Sequence, residues 1–371
     1  MMRVFVMVVL SFTIIVMSVS AQTAIKKQSV RHNDDPNIRQ TEVFQSYVNE
    51  NDTTQYKNHY LFERVYNRLN NMLIGKEPIS FKKAVFLVEN AYYGGKLSWN
   101  DYDKELKRIK QVLDRVIVDR RLQSQRTAGN YAIFTFMTDS IAENNNCPYK
   151  YDYETFVKDG GQEAGMVTRL LKTKKGNCHS LPYMYKILAN DMKVEACLAL
   201  APMHVYVKHK DENGKWWNLE LTSGTFSRSS FIMESFNVSE QAIESGLFMK
   251  GLSEKESIAL CLYDLLNIYE SKTGIYSNDF VRKCYKLGLR YFPVSQLQNW
   301  KFGDLKYQLD KKMAKLGMNN YRQIVDNPQL ENLFYQMDTT NKYITKIGYS
   351  TITTEQYREK ASSIIDYRKK N

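Results

Sequence analysis

Residues 176–222 read GNCHSLPYMYKILANDMKVEACLALAPMHVYVKHKDENGKWWNLELT, in which one helical pattern precedes three strand patterns. The segment from Cys178 to Asn190 is predicted to be a helix that starts after a Gly-Asn turn. Three runs rich in apolar and β-branched residues predict strands, at Val194–Leu200, Val205–Lys208 and Trp216–Leu221. Asp211-Glu212-Asn213-Gly214 is a hairpin turn signal between the last two strands. The sequence therefore predicts one helix followed by an antiparallel meander.

Helical patterns lie on both sides of this region. On its N-terminal side, a helix begins near His59 and stops at Gly75, and a second spans Phe81 to Tyr92. A third opens at Asn100, whose side chain is the expected N-cap. On the C-terminal side, two helices within 253–295 resemble one tetratricopeptide-type helix pair. Together these patterns predict an α+β fold, in which a helix packed on an antiparallel sheet is flanked by N- and C-terminal α-helical regions.

The first 21 residues have the pattern of a secretory signal peptide. A basic start precedes an apolar segment, and Val19-Ser20-Ala21 supplies the small residues that signal peptidase reads. An uncleaved membrane anchor is the alternative, but the small-residue ending favours cleavage. We therefore expect an exported protein, periplasmic or secreted, with no stable membrane insertion after cleavage. The expected organisation is a signal peptide at 1–21, a polar arm at 22–55, an N-terminal helical region at 56–124, a core at 125–235 and a C-terminal helical region at 236–371.

The charge of the chain is basic but dispersed. Of its 371 residues, 52 are Lys or Arg and 40 are Asp or Glu, which gives a formal net charge of +12. Because the excess forms no basic arm and export removes the chain from intracellular DNA and RNA, no nucleic-acid partner is expected. The 5 cysteines are too few and too scattered for a disulfide framework.

Cys178 is the cysteine best placed for chemistry. A helix N-terminus stabilises a thiolate through backbone N–H groups and the positive end of the helix dipole. His204, at the start of a strand packed against that helix, can serve as its general base. A third group on the neighbouring strand would orient the imidazole. Asn218 and Glu220 lie two residues apart, so both share one face of that strand.

In order and spacing, these residues resemble the transglutaminase-like superfamily, whose core runs Gly-x-Cys at a helix start, then His on a hairpin, then a Trp-containing strand that ends in Asp-Pro-Thr. The resemblance covers 125–235 and implies a papain-like α+β core, with Cys178 as nucleophile, His204 as base and Glu220 as the orienting acid. The Gly-Asn-Cys-x-Ser-Leu start and the helical flanks look like an exported bacterial branch of that superfamily. The sequence departs from the family pattern at the end of the strand, where Glu220 replaces Asp and Leu221 replaces Pro.

Other residues are expected to support the site. The substrate-binding or supporting residues are predicted to be Asn177, His179, Trp217, Asn218 and Tyr151. Asn218 is the alternative to Glu220 as the orienting group. The backbone N–H of Cys178 is the expected first oxyanion donor, and the candidates for the second are Tyr149, Tyr151 and Gln162. No metal is expected, because Cys178-His179 has no second ligand pair at zinc spacing, and no cofactor is implied.

The remaining candidates have simpler interpretations. The apolar runs around Cys197, Cys261 and Cys284 predict buried structural thiols, whereas Cys147 is expected at the surface. His209 is expected in solvent before the hairpin turn. Neighbouring strand residues point to opposite sides, so one of Trp216 and Trp217 is expected in the core and the other outside.

The expected activity is that of a cysteine-dependent amide hydrolase or acyltransferase acting through a thioester on peptide or cell-wall-type substrates. Cys178 would attack, His204 would move the proton and Glu220 would orient His204. The alternative is a catalytically inactive binding or scaffold protein, which the Glu220 and Leu221 departures favour. In that case the C-terminal helices would dock a protein partner.

Overall fold

The computed structural model describes residues 53–153 and 162–350. The expected signal peptide and nearly all of the polar arm lie outside the described residues. Within residues 53–153 and 162–350, none of the helices combines the length and the apolar character that a membrane span requires.

The chain forms a mixed helical and antiparallel-sheet structure, as the predicted α+β class requires. The helices are α1 Thr53–Leu73, α2 Phe81–Tyr92, α3 Trp99–Asp119, α4 Ala128–Thr138, α5 Val167–Thr173, α6 Ser180–Met192, α7 Ser229–Phe236, α8 Glu240–Glu244, α9 Glu254–Thr273, α10 Asp279–Tyr291, α11 Leu297–Lys315 and α12 Pro328–Lys346. The strands are β1 Lys150–Tyr151, β2 Lys175–Gly176, β3 Ala196–Ala201, β4 His204–Lys210, β5 Trp216–Glu220 and β6 Thr225–Ser227.

The predicted meander is confirmed as an antiparallel sheet in the order β3-β4-β5-β6. Ala201 pairs with His204 across the first hairpin, and Val207 pairs with Leu219 across the second. Two features were not predicted: β6, and the parallel pair formed by β1 and β2. Each has only two or three residues, which is too short for an alternating pattern to be recognised.

Local capping explains where the N-terminal helices begin and end. The predicted bounds of α2 are confirmed, and the Ser80 side chain accepts a hydrogen bond from the backbone N–H of Lys83. The predicted start of α3 at Asn100 is wrong, because Ser98 is the N-cap and accepts from the backbone N–H of Asp101. The first helix begins at Thr53, upstream of the expected start. It ends before Gly75, whose φ of +80° suits glycine.

One hydrophobic core contains buried residues from Phe62 to Ile347. It therefore includes residues from the N-terminal helical region, the core segment and the C-terminal helical region expected from the sequence. Its centre contains α6, which is buried at every position from Ser180 to Ala189 and packs against α4, β3 and β4. The expected tetratricopeptide-like segment forms the helix pair α9 and α10. Because α9 also contacts α1 and α2, the C-terminal helices are built into the same core as the N-terminal ones.

A second, smaller cluster lies between α11 and α12. Its buried members are Leu305, Leu309, Met313, Ile324, Leu330 and Met337. This cluster belongs to the C-terminal helical region, and the site residues predicted from the sequence all lie outside it.

Candidate active site

The turn that carries Cys178 is held by its own polar side chains. Asn177 Oδ1 accepts hydrogen bonds from the backbone N–H groups of His179, at 2.9 Å, and Ser180, at 3.3 Å. Asn177 therefore holds the turn that precedes α6, whose N-cap position is His179. Since α6 begins at Ser180, the predicted helix start at Cys178 is wrong by two residues. Cys178 lies in the turn just ahead of the helix.

Steric crowding explains why the first position of the Gly-x-Cys pattern, residue 176, is glycine. A Cβ atom at Gly176 would collide with Ser180 Oγ and would lie 2.9 Å from Leu170 Cδ1. Ser180 Oγ accepts a hydrogen bond from the Asn177 backbone N–H and donates one to the Ala164 carbonyl, at 2.7 Å. Any larger residue at position 176 would therefore disturb the hydroxyl that ties the Cys178 turn to the segment before α5.

The β3–β4 hairpin brings His204 to Cys178. Met203, in the two-residue turn, has a φ of +57°, which is uncommon for a residue other than glycine. Its carbonyl oxygen accepts from the Cys178 thiol, with 3.9 Å between Sγ and O. A hydrogen bond between the Cys178 and His204 side chains is one of the interactions that raise the pKa of His204. The turn therefore places an imidazole beside the thiol.

His204 and Glu220 form a buried, closely bonded pair. His204 Nε2 donates to Glu220 Oε2 at 2.6 Å, and both residues are only 4% exposed. Burial opposes the charge on His204, but the attraction of Glu220 and the hydrogen bonds to Cys178 and Glu220 raise its pKa to about 10. With Nε2 bonded to Glu220, Nδ1 is the nitrogen that remains for the thiol. Cys178 therefore interacts with an imidazole that is itself bonded to a buried carboxylate.

Two further residues, which the sequence interpretation missed, hold this pair in place. Thr222 Oγ1 donates to Glu220 Oε1 at 2.9 Å, so each carboxylate oxygen has its own partner. Phe236 stacks on the His204 ring with 4.2 Å between centroids and 12° between planes. Thr222 stood in the quoted motif as the threonine of the family's Asp-Pro-Thr, and a role for its hydroxyl could have been anticipated from that position. Nothing in the sequence pattern pointed to Phe236.

The choice between Glu220 and Asn218 is resolved by their partners. Asn218 Nδ2 donates to the Ser227 carbonyl and to Ser229 Oγ, both at 3.2 Å. Its amide therefore joins β5 to β6 and the start of α7, whereas Glu220 contacts the imidazole. The extra methylene of glutamate does not prevent a short hydrogen bond to His204.

His179 lies next to Cys178 in sequence, but its ring is bonded elsewhere. Its Nδ1 lies 2.8 Å from the Gly165 carbonyl oxygen, and its Nε2 lies 3.1 Å from Asp264 Oδ1 on α9. The Tyr183 hydroxyl donates to the other oxygen of Asp264 at 2.7 Å. The sequence interpretation missed Asp264, because no local pattern links residues 85 positions apart.

The other predicted supporting residues are spread over a wider area. Tyr151 is buried in β1, where it pairs with Gly176 of β2, and the Tyr149 side chain is buried as well. The Gln162 amide donates to the Asn267 carbonyl on α9. Trp217 pairs with His209, three residues along β5 from Glu220, and its Nε1 donates to Asp211. The structure therefore places Tyr151 next to the strand that leads to Cys178, and Trp217 toward the far end of the sheet.

Several simpler expectations are also settled. Neither tryptophan enters the core, since Trp216 is 43% exposed and Trp217 38% exposed. The expectation that His209 is solvated is wrong, because it is buried in the sheet with its ring near Phe226. Cys261 and Cys284 are buried and Cys147 is exposed, as predicted, whereas Cys197 is only partly buried.

Across residues 53–153 and 162–350, no group of three or more His, Cys, Asp or Glu side chains is arranged to hold a metal ion. Comparison with known protein families, with curated proteins and with solved structures finds no match to this chain. The chemistry of the site is therefore inferred from its own residues. A thiol, an imidazole and a buried carboxylate are the groups that nucleophilic catalysis by cysteine requires.

Proposed function

We propose that this protein is a cysteine-dependent amide hydrolase or acyltransferase with a papain- or transglutaminase-like core. The observation that supports it most directly is the buried 2.6 Å hydrogen bond between His204 and Glu220, with the Cys178 thiol held by the Met203 carbonyl beside His204. Cys178 is the nucleophile, His204 the general base and acid, and Glu220 the group that fixes the imidazole. Along the sequence, Cys178, His204 and Glu220 follow the same order as the cysteine, histidine and acid of the transglutaminase-like pattern.

The reactive form is the ion pair in which the Cys178 proton resides on Nδ1 of His204, so that Cys178 is a thiolate and His204 an imidazolium. The thiolate attacks the carbonyl carbon of an amide, and the C–S bond forms as the carbonyl π electrons move to oxygen. His204 then donates its proton to the leaving amine as the C–N bond breaks, which leaves a thioester on Cys178. Water or an amine, deprotonated by His204, attacks the thioester, and the thiolate leaves and regains its proton. Water gives hydrolysis, and an amine gives acyl transfer.

The electrostatics of the site favour the charged form of the catalytic pair. Glu220 stabilises a positive imidazolium at His204, whose pKa is raised to about 10, so a proton that leaves the thiol is retained by the imidazole at neutral pH. Cys178 also lies at the positive end of the dipole of α6, a helix of 13 residues. The backbone N–H of Cys178 is the proposed first donor to the oxyanion that forms in the transition state.

The proposed substrate is a peptide or cell-wall-type amide outside the cytoplasm. This assignment rests on the N-terminal signal pattern and on the resemblance to exported bacterial members of the superfamily. In the same proposal the protein is periplasmic or secreted, and the C-terminal helices are available to a protein partner. No cofactor takes part in the proposed reaction.

The test is the pH dependence of Cys178 alkylation by iodoacetamide, followed for each cysteine by mass spectrometry. Cys147 is exposed and serves as the reference thiol within the same molecule. We expect Cys178 to react at about pH 6, where an unperturbed thiol is protonated, and faster than Cys147. The His204→Ala variant should lose this advantage.

The matched control is His59→Ala, which removes a histidine on α1 whose ring bonds Tyr269 and none of the three proposed catalytic residues. It should leave Cys178 alkylation unchanged. If Cys178 of the wild-type protein reacts no faster than Cys147, the proposed activity is contradicted. The alternative of an inactive binding or scaffold protein would then be favoured.

A further inference from the structure

A second histidine beside the nucleophile carries both of its ring protons. His179 Nδ1 faces the carbonyl oxygen of Gly165 at 2.8 Å, and its Nε2 faces a carboxylate oxygen of Asp264 at 3.1 Å. A carbonyl and an ionised carboxylate can only accept hydrogen bonds, so both ring nitrogens must donate. An imidazole that donates from both nitrogens is an imidazolium.

The charges around His179 maintain this protonation state. Burial opposes it, but the attraction and hydrogen bond of Asp264 and the hydrogen bond to Gly165 raise the pKa of His179 to about 9. Glu89, on α2, and Cys178 also interact electrostatically with the His179 ring. Tyr183, on α6, packs on the ring at 3.8 Å between centroids and donates its hydroxyl proton to Asp264.

Glu89, which interacts with the charge on His179, also holds the start of α5. Its carboxylate accepts from the backbone N–H groups of Val167, at 2.7 Å, and Thr168, at 2.8 Å, at the start of α5. Burial raises its pKa to about 7, against the effect of these hydrogen bonds and of the charge on His179. The carboxyl groups that interact with His179 therefore come from two helices, α2 and α9.

This protonation state excludes one role and supports another. A doubly protonated ring cannot accept the Cys178 proton, so His179 is not a second general base. Its ring is nevertheless attached to the backbone position that follows Cys178, and it is fixed at both nitrogens. The ring thereby ties the Cys178 turn to Gly165 on one side and to α9 on the other.

We propose that His179 is a positioning residue, which Asp264 keeps positively charged, and that it both fixes the Cys178 turn and stabilises the Cys178 thiolate. This role rests on the proposed function, because it acts through Cys178. It makes α9, in the C-terminal helical region, a working part of the site. An opposite charge close to a titratable group lowers the pKa of an acid by one unit or more.

The test compares the pH profile of Cys178 alkylation in Asp264→Asn and His179→Gln with that of the wild-type protein. His179→Gln removes the charge at position 179, and Asp264→Asn removes the carboxylate that maintains this charge. Each should move the midpoint of the profile upward by about one pH unit, which is about tenfold slower alkylation below the midpoint. The double variant should show the same shift as each single variant, because the two residues act as one unit.

Two controls separate charge from structure. Asp264→Glu keeps the carboxylate and should restore much of the wild-type profile. Tyr183→Phe removes the hydroxyl that donates to Asp264 but leaves both charges, so the midpoint should stay within about 0.3 pH unit of the wild type. A residue that only shapes the turn would change the rate without moving the midpoint.

A measurement on the wild-type protein does not depend on how the variants fold. Histidine ring NMR should show His179 as an imidazolium at about pH 7.5, above the usual histidine pKa. A neutral His179 at that pH, or an unmoved midpoint in both Asp264→Asn and His179→Gln, overturns the role of His179. If Cys178 is activated and depends on His204, those results leave the proposed function intact. A wild-type Cys178 that reacts as slowly as Cys147 contradicts both.

Discussion

Two histidine–carboxylate pairs flank Cys178, and they differ in burial and in bonding. His204 and Glu220 are joined at 2.6 Å, with side chains that are 3% and 6% exposed. His179 and Asp264 are joined at 3.1 Å, with side chains that are 31% and 13% exposed. In both pairs the carboxylate raises the histidine pKa, to about 10 for His204 and to about 9 for His179.

The second ring nitrogen makes the difference between them. In His204 the nitrogen opposite Glu220 faces a thiol, which can exchange a proton with it. In His179 the nitrogen opposite Asp264 faces a backbone carbonyl, which cannot. A raised pKa is therefore insufficient to identify a catalytic base, and the chemistry of the second hydrogen-bond partner has to be known as well.

The largest difference between the pairs should be in stability. Glu220→Ala leaves a buried imidazole without its counter-charge, and we expect it to lower the free energy of unfolding by about 3–5 kcal/mol. Asp264→Ala should cost less, about 1–2 kcal/mol, because water reaches His179 and can solvate it. Urea denaturation of both variants at one pH checks this. Equal losses would show that burial does not separate the two pairs.

Reactivity should respond to the charge of Glu220 as well as to its shape. Glu220→Gln keeps the size of the side chain but removes its negative charge, so it no longer stabilises the imidazolium at His204. Cys178 alkylation at about pH 6 should fall by about 10- to 100-fold, and by more than in Asp264→Asn. The rates are measured by mass spectrometry, with Cys147 as the internal reference. A larger loss in Asp264→Asn would reverse the roles assigned to the two pairs.

The pH dependence of stability should distinguish the pairs next. Each folded-state histidine pKa is above the unfolded value of about 6.5, so the stabilisation is complete below that pH. It is lost as the pH rises, through about 9 for His179 and about 10 for His204. Urea denaturation of the wild type, His179→Gln and His204→Gln from about pH 6 to about pH 11 should show His204 contributing about 5 kcal/mol and His179 about 3 kcal/mol at the acidic end.

The two histidine variants should differ in the pH at which their effect on stability disappears. The difference between the wild type and His179→Gln should disappear at a lower pH than the difference between the wild type and His204→Gln. The reverse order would mean that Glu220 holds its histidine less strongly than Asp264 does.

The smallest effect is expected at the far end of the sheet. Trp217 is partly exposed, and its indole N–H donates to Asp211 in the hairpin. Trp217→Phe should change Cys178 alkylation by less than about twofold and the free energy of unfolding by about 0.5 kcal/mol or less. The same two assays measure both quantities. A large loss of reactivity would extend the site beyond the two histidine pairs.

The helix and strand order could be predicted from the sequence because its signals are local. The Asp211–Gly214 turn and the alternating runs around it indicated the hairpin, and the structure confirms both strands. The predicted helix start at Cys178 is wrong because the N-cap of α6 is His179, and several residues of that turn could have occupied the cap position. A cap is chosen by the conformation of the turn, which the residue types alone leave open.

The same distinction applies to the candidate site. Residue types and spacing were sufficient to propose Cys178, His204 and Glu220, since Gly-x-Cys, a hairpin histidine and an acid on the next strand each follow a recognisable pattern. They were insufficient to choose between Glu220 and Asn218, which share a face of one strand. The choice depended on which partners lay within hydrogen-bond reach, and Ser227 and Ser229 engage Asn218.

By itself the sequence determined the α+β class, the order of its elements and the groups available for cysteine chemistry. Only the tertiary structure showed that Asp264 holds His179 and that Glu89 caps α5 from α2. The physical reason is that hydrophobic periodicity reports which face of an element is buried, and not which element covers it. Hydrogen bonds between residues about 80 positions apart arise from the packing of helices, and that packing brings Asp264 to His179 and Glu89 to the start of α5.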